Sequence, residues 1–294
     1  MKIKFVFLAC MCLMLVGSLR AQEKDVYRLM FLNIWYKSGQ DSLARVLEST
    51  GADVIGLSEI SNERLFDLAQ RLGYPHVHPL MKSDRQNFRI SYRGVLSRYP
   101  ITPLDSFSVM IELPGQPVLV RTVHLVSTPY LPYDIRDGKY QSAPEVVSVV
   151  RQTKGPEIEE HLLALKPYQK RKVPVFLIGD FNEPSYLDWT EATKARHFNL
   201  VVDWPTHRRV KEAGFTDAYR LLYPDPSRYP GNTWSPLFPE TPQDRIDFIY
   251  YAGKKIRIRQ VRIVGEAAET SDDYSPYHPS DHRGLIVDFT LKNR

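Results

Sequence analysis

Four stretches of this chain read as largely apolar strands with a polar side chain at or near the carboxyl end: VYRLMFLNIW (26–35), ADVIGLSEI (52–60), VLVRTVHLV (118–126) and VPVFLIGDF (173–181). Runs that stay apolar without alternating belong to strands covered on both faces. These four are therefore read as buried strands. Between and after the first two runs lie helical patterns. DSLARVLEST sets Leu43, Val46 and Leu47 on one face before Gly51, and SNERLFDLAQRLG repeats the device with Leu65, Leu68, Ala69 and Leu72. Ser61 or Asn62 is the expected cap of the second helix and Gly73 its terminator. The opening is thus strand, helix, strand, helix, with Asn33 and Glu59 at the carboxyl ends of the strands, where α/β sheets hold their ligands.

Further strands are expected at 93–101, 245–251 and 283–291. KKIRIRQVRIV (254–264) alternates basic and apolar residues until the parity flips at Gln260, which predicts a bulge or strand end there. Its charges fit a guarded sheet edge better than an anion-binding stripe. A long insertion rich in proline and tyrosine separates His124 from Asp180 and leads into a helix near 157–166. Turn-rich stretches at 223–244 and 265–280 are long enough to be functional or mobile.

The amino terminus, MKIKFVFLACMCLMLVGSLRAQ, has Lys2 and Lys4, an apolar run from Phe5 to Val16, and then small residues. That is the pattern of a secretory signal, and the run is too short to span a bilayer. The expected division is a signal peptide over 1–21 and a single domain over 22–294, with no transmembrane span in the mature chain and a periplasmic or secreted destination. Cys10 and Cys12, the two cysteines of the chain, lie inside the signal. The mature protein therefore has no disulfides or thiolate metal sites, and a metal must be held by oxygen or imidazole. Of the formal +5 charge, three units belong to Lys2, Lys4 and Arg20, leaving +2, too little to argue for a nucleic-acid partner.

Several polar residues stand where burial makes them costly unless partnered. GDFN puts Asp180 and Asn182 one residue apart at a strand end, and RIDFIY places Asp247 among Ile246 and Phe248. SDHR sets Asp281 and His282 directly before the final apolar strand. An Asx turn at GDFN, a satisfied core histidine at His124, and a solvated turn at Asp281 are the bland alternatives. Their order and wording, from FLNIW through VLSRYPI, GDFN and RIDFIY to SDHRGLIVDF, resemble the endonuclease/exonuclease/phosphatase superfamily over essentially the whole mature chain. That group includes pancreatic-type deoxyribonucleases, exonuclease-III-like repair enzymes, sphingomyelinases and inositol-polyphosphate 5-phosphatases.

The resemblance implies a four-layer α/β (α+β) sandwich, two mixed β-sheets face to face with helices outside. It also implies a metal-dependent phosphoesterase using magnesium or manganese. In its pattern Glu59 is the principal metal carboxylate with Asn33 beside it, and Asp281 joins that cluster or a second metal position. His282 matches the catalytic histidine and Asp247 the carboxylate that braces it. Asp180 aligns or deprotonates the water, or protonates the leaving group. Asn182 and His124 donate to the phosphate or the leaving oxygen. Two departures stand out: Thr122 replaces an Asn common in relatives, and the strand phrase beside His124 carries Arg93 and no acid. Asp244 reads as a turn residue or helper.

The expected function is exported phosphodiester hydrolysis by an in-line water. Nucleic acid, a phospholipid headgroup and small phosphate esters all remain open as substrates, and no protein partner is indicated. A non-catalytic binding module would have lost Glu59, His282 or Asp180, and all three are present. A zinc hydrolase would need a histidine pair at helical ligand spacing, which the sequence lacks.

Overall fold

The computed structural model describes residues 26–84 and 89–292, so the expected signal peptide lies outside the described residues. Strand Tyr27–Asn33 pairs in parallel with Val54–Ser58 and antiparallel with the final strand Gly284–Leu291. These three form the middle of a seven-stranded sheet, which Ile256–Gly265 and Asp273–Tyr274 extend on one side. Arg89–Ser97 and His76–Asp84 extend it on the other. The second sheet has six strands in the order Ile101–Asp105, Ser108–Ile111, Val118–His124, Val175–Asp180, Asp247–Ala252 and Thr216–Asp217.

Alternate residues of each strand serve two different layers. Leu29 and Phe31 join Val95, Phe176, Ile178 and Val287 in the core between the sheets. Met30 and Leu32 face outward against Leu43, Leu47, Leu65 and Leu68 of helices Gln40–Thr50 and Asn62–Arg71. On the far side, Val123, Leu177 and Phe248 pack against Leu162 and Leu165 of helix Gly155–Lys170. Three apolar layers between four structural ones make the expected sandwich. This is why the strands are apolar at successive positions. Ser61 caps the second helix by accepting from Arg64 N–H, and Gly51 closes the first at φ 59.

The register slips between Ile258 and Gln260, where the parity of basic residues flips. One expectation changes. The stretch 93–101 is not one strand, because Arg89–Ser97 ends in the first sheet and Ile101–Asp105 begins the edge of the second. Pro100, which has no N–H to donate to a ladder, lies in the crossing. The insertion after His124 holds two further helices, Leu131–Arg136 and Ala143–Thr153, before Gly155–Lys170. Among the described residues no helix is long and apolar enough to cross a membrane.

Candidate active site

Strand direction brings the polar residues together. Asn33 and Ser58 are register partners at the carboxyl ends of parallel strands, with Glu59 following Ser58. His124 is paired with Asp180 in the same way in the second sheet. Asp247 begins its strand opposite Asp180, because that pair is antiparallel. The final strand also runs antiparallel to Tyr27–Asn33, so Asp281 and His282, just before it, arrive at the same end. Residues from both sheets thus meet at one end of the sandwich.

His282 Nδ1 lies 2.8 Å from Asp247 Oδ2, and its Nε2 faces Asp180 Oδ2 at 3.8 Å. All three are buried. Burial opposes a charge on the imidazole, but Asp247 and Asp180 outweigh it and raise His282 to about 10. Burial also pushes Asp180 above the ordinary carboxylate range, against the pull of His282. The Asp180 carboxylate is divided in its duties. Oδ1 accepts from Asn182 N–H at 2.8 Å, which is an Asx turn, while Oδ2 accepts from Asn33 Nδ2 at 3.1 Å and Asn182 Nδ2 at 3.2 Å. The bland reading of GDFN and the chemical one therefore hold at once: the turn aims the other oxygen into the pocket. Asn182 spends its remaining amide hydrogen on the Leu125 carbonyl (3.0 Å), so donation to a phosphate requires exchange of its bond to Asp180.

Asn33 Nδ2 also donates to Glu59 Oε1 at 3.0 Å, and Asn33 Oδ1 accepts from Trp35 N–H. Asn33 therefore holds Glu59 and Asp180 in a common frame. Trp35, Glu59 and Asn182 take positive φ of 56, 61 and 49, uncommon for residues other than glycine. Gly179, at φ 155, is required for a different reason: a Cβ there would stand 2.0 Å from the Val123 carbonyl oxygen.

No acid for His124 is visible in its neighbouring strand, but tertiary structure supplies two. Its Nε2 stands 3.8 Å from Glu59 Oε1 and 3.7 Å from Asp180 Oδ2. Burial nevertheless holds the ring below the usual range; Glu59 pulls the other way, and Arg93 and His282 add repulsion. Asp244 lies outside this cluster. It accepts from Trp189 Nε1 and Tyr130 OH, tying the insertion to the 231–245 loop.

A divalent cation fits the pocket on the evidence of its oxygen atoms. Asp281 Oδ1 is buried without a hydrogen-bond partner. Its carboxyl is pushed up to about 6, by burial first and by Glu59 after the opposing pull of His282. Glu59 Oε2 receives only a 3.3 Å bond from Tyr36 N–H. Two carboxylates within electrostatic reach, one of them with a bare oxygen, are a hard-cation donor set. Asp180, Asp247 and His282 also bring ligand atoms within 4.8 Å of one another, and Asp247 Oδ1 is likewise buried without a partner, but a cation there would face the positive charge that the imidazole keeps in its bond to Asp247. The Glu59–Asp281 side leaves that bond intact.

Some supports escaped sequence reasoning. Ser280 Oγ donates to the Asn33 carbonyl (2.6 Å) and accepts from His282 N–H (3.0 Å). Thr233 Oγ1 accepts from Ile246 and Asp247 N–H, and the Trp234 ring packs 4.8 Å from His282. The adjacency of Ser280 to Asp281 was the one available signal; nothing local marks Thr233 or Trp234.

Residues 30–282 match the sequence model of the Endonuclease/Exonuclease/phosphatase family. A Caenorhabditis elegans protein, F14F9.5, is 30% identical, covering 99% of this chain and 100% of the relative. An endonuclease/exonuclease/phosphatase from Beutenbergia cavernae superposes with TM-score 0.59 at 18% identity, covering 91% of this chain and 72% of that one. D. rerio TDP2, solved with a single-strand DNA product, gives 0.58 at 16% identity, covering 91% and 100%.

Proposed function

The chain belongs to the endonuclease/exonuclease/phosphatase family, whose reaction class is metal-dependent hydrolysis of phosphoric esters, and from that premise we propose that it is an exported phosphodiesterase. The observation that carries this reading is the braced imidazole. His282 is held by Asp247 at 2.8 Å and turns Nε2 toward Asp180, while Glu59 and Asp281 converge beside it.

On this reading Glu59 and Asp281 hold a magnesium or manganese ion with Asn33 beside them. When bound, the ion supplies positive charge to a phosphate oxygen. The chain's own residues do the rest. Asp180, oriented by Asn33 and Asn182 and raised by burial, accepts the proton of the attacking water at Oδ2. His282, kept charged by Asp247, donates from Nε2 to the transferring phosphoryl group as charge builds on it. His124, at the mouth between Glu59 and Asp180, donates to the phosphate or the leaving oxygen. The Trp234 ring beside His282 offers a surface for a nucleobase, and the DNA product of D. rerio TDP2 points the same way, so a nucleotidyl diester is favoured over a lipid headgroup.

The test is release of nitrophenol from bis(p-nitrophenyl) phosphate with magnesium, manganese or chelator. Turnover is expected with metal and lost with chelator, and His282→Ala should lower it by at least about a hundredfold. An undiminished His282→Ala enzyme overturns the assignment. Export rests on the pattern of residues 1–21. It is tested by the mature amino terminus of the protein made in a secreting host, expected after Ala21.

A further inference from the structure

Behind the loop that presents Trp234 lies a cavity of about 350 Å³, within the range of small-molecule sites. We propose that it is a subsite for a second phosphate, carried on the organic arm of the diester whose scissile phosphate sits at His282. The inference rests on the phosphodiesterase reading and adds a substrate class to it: esters bearing more than one phosphate.

The floor of the cavity is rigid and its charges are balanced. Asp188 accepts from Arg220 Nε (2.7 Å) and from Arg245 NH2 (3.0 Å), and Asp217 takes the other arm of Arg245 at 2.8 Å. All four are buried. Two guanidinium groups are thereby matched by two carboxylates, and Asp244, which also lines the cavity, turns its oxygens to Trp189 Nε1 and Tyr130 OH, so the floor has no spare positive charge for an anion.

The rim differs. Arg136 and Arg196 both line the opening and are exposed. Arg136 pairs with Asp137, itself 61% exposed, and water screens such a pair, so a phosphate displaces it readily. Arg196 donates to the Ser227 carbonyl at 3.1 Å. Among the described residues no carboxylate lies within ion-pairing distance of it. The acid on the rim is Glu240. Phe198, held at φ 56 and 39% exposed, adds an apolar wall on which a base or sugar can lie.

The cavity and the reaction centre are linked by direct contacts. The Arg136 guanidinium sits 4.8 Å over the Tyr133 ring, Tyr133 OH accepts from Trp234 Nε1 at 2.9 Å, and the Trp234 ring packs 4.8 Å from that of His282. Two side chains, Tyr133 and Trp234, thus connect the rim to the imidazole, a span for an extended ester.

The test uses 5′-(p-nitrophenyl) esters of thymidine oligonucleotides one, two and three residues long, reading nitrophenol alone. The shortest has only the scissile phosphate, and each step adds one more. In the wild-type enzyme KM is expected to fall about tenfold at the length whose phosphate reaches the rim, the scale of a charge-assisted bond. That gain should vanish in the Arg136→Ala/Arg196→Ala double variant, leaving the shortest ester unaffected, and should grow in Glu240→Gln. The same fall of KM in the double variant, or an equal loss in the remote control Arg171→Ala, overturns the subsite. If even the shortest ester releases no nitrophenol, the phosphodiesterase reading fails. Calorimetric binding of trithymidylate then reads the cavity alone, and equal affinity for wild type and double variant refutes it.

Discussion

Ser280→Ala removes one oxygen from the protein and separates two halves of the proposed machinery. Ser280 is fully buried. Its hydroxyl ties the carbonyl of Asn33, in the first sheet, to the N–H of His282. Alanine leaves both backbone groups buried without this partner, at about 1–2 kcal/mol for each neutral orphaned group, so a loss of roughly 2–4 kcal/mol is expected. For a domain of this size that lowers Tm by roughly 5–15 °C. The His282 backbone also loses its tether, and a displacement near 1 Å of a catalytic group costs on the order of a hundredfold in rate. The loss should fall on kcat, because nothing in the change touches the substrate-facing rim. Urea denaturation followed by tryptophan fluorescence gives the stability, and nitrophenol release the rate. Ser235→Ala, which removes one bond to the Asp281 carbonyl, is the matched comparison and should cost about half as much. A Ser280→Ala protein within about 0.5 kcal/mol of wild type would refute the reasoning, since the two orphaned groups would then be satisfied elsewhere.

Other perturbations test the frame around the site. Asp188→Ala removes the carboxylate shared by Arg220 and Arg245, leaving Arg245 its pair with Asp217 and Arg220 its bonds to backbone carbonyls. Breaking a buried ion cluster in this way is expected to cost about 3–5 kcal/mol in a denaturation curve, and a neutral result would show that water replaces the carboxylate. His207 is buried between Tyr250 OH and the Glu183 carbonyl, and burial depresses it to about 3. Its folded pKa lies below the unfolded value. Its contribution is therefore complete above about pH 6.5 and falls between there and pH 3, by about 2 kcal/mol at pH 5. Unfolding free energies of wild type and His207→Gln at pH 7.5 and pH 5 should show that difference, and parallel curves would sink it.

Much of the frame was legible in local pattern. The apolar runs with polar ends, the helices closed by Gly51 and Gly73, and the slip at Gln260 all depend on neighbours a few residues away, where sterics and periodicity act. The break at Pro100 was misjudged because VLSRYPI is apolar on both sides of the crossing, and pattern alone does not say when a chain changes sheets. The residues of the proposed site could be listed from their motifs, but their partnerships could not. His124 has no acid in its own stretch, yet it faces Glu59 and Asp180, which lie 65 residues before it and 56 after it in the chain. Asp244, which looked like a turn residue, is the acceptor joining Tyr130 and Trp189 to the loop behind Trp234.

Sequence alone was enough to determine the strand-and-helix alternation, the family resemblance and the kinds of side chain available for phosphate chemistry, because each is written in short-range order. Tertiary structure decided that Asp247 braces His282, that Asp281 keeps a bare oxygen within the electrostatic reach of Glu59, and that Ser280 links the Asn33 carbonyl to the His282 N–H. Those contacts follow from one antiparallel and one parallel pairing in each sheet, which turn distant strand ends toward a single rim. Hydrogen bonds reach about 3 Å, so only the register of the assembled sheets can say which groups meet.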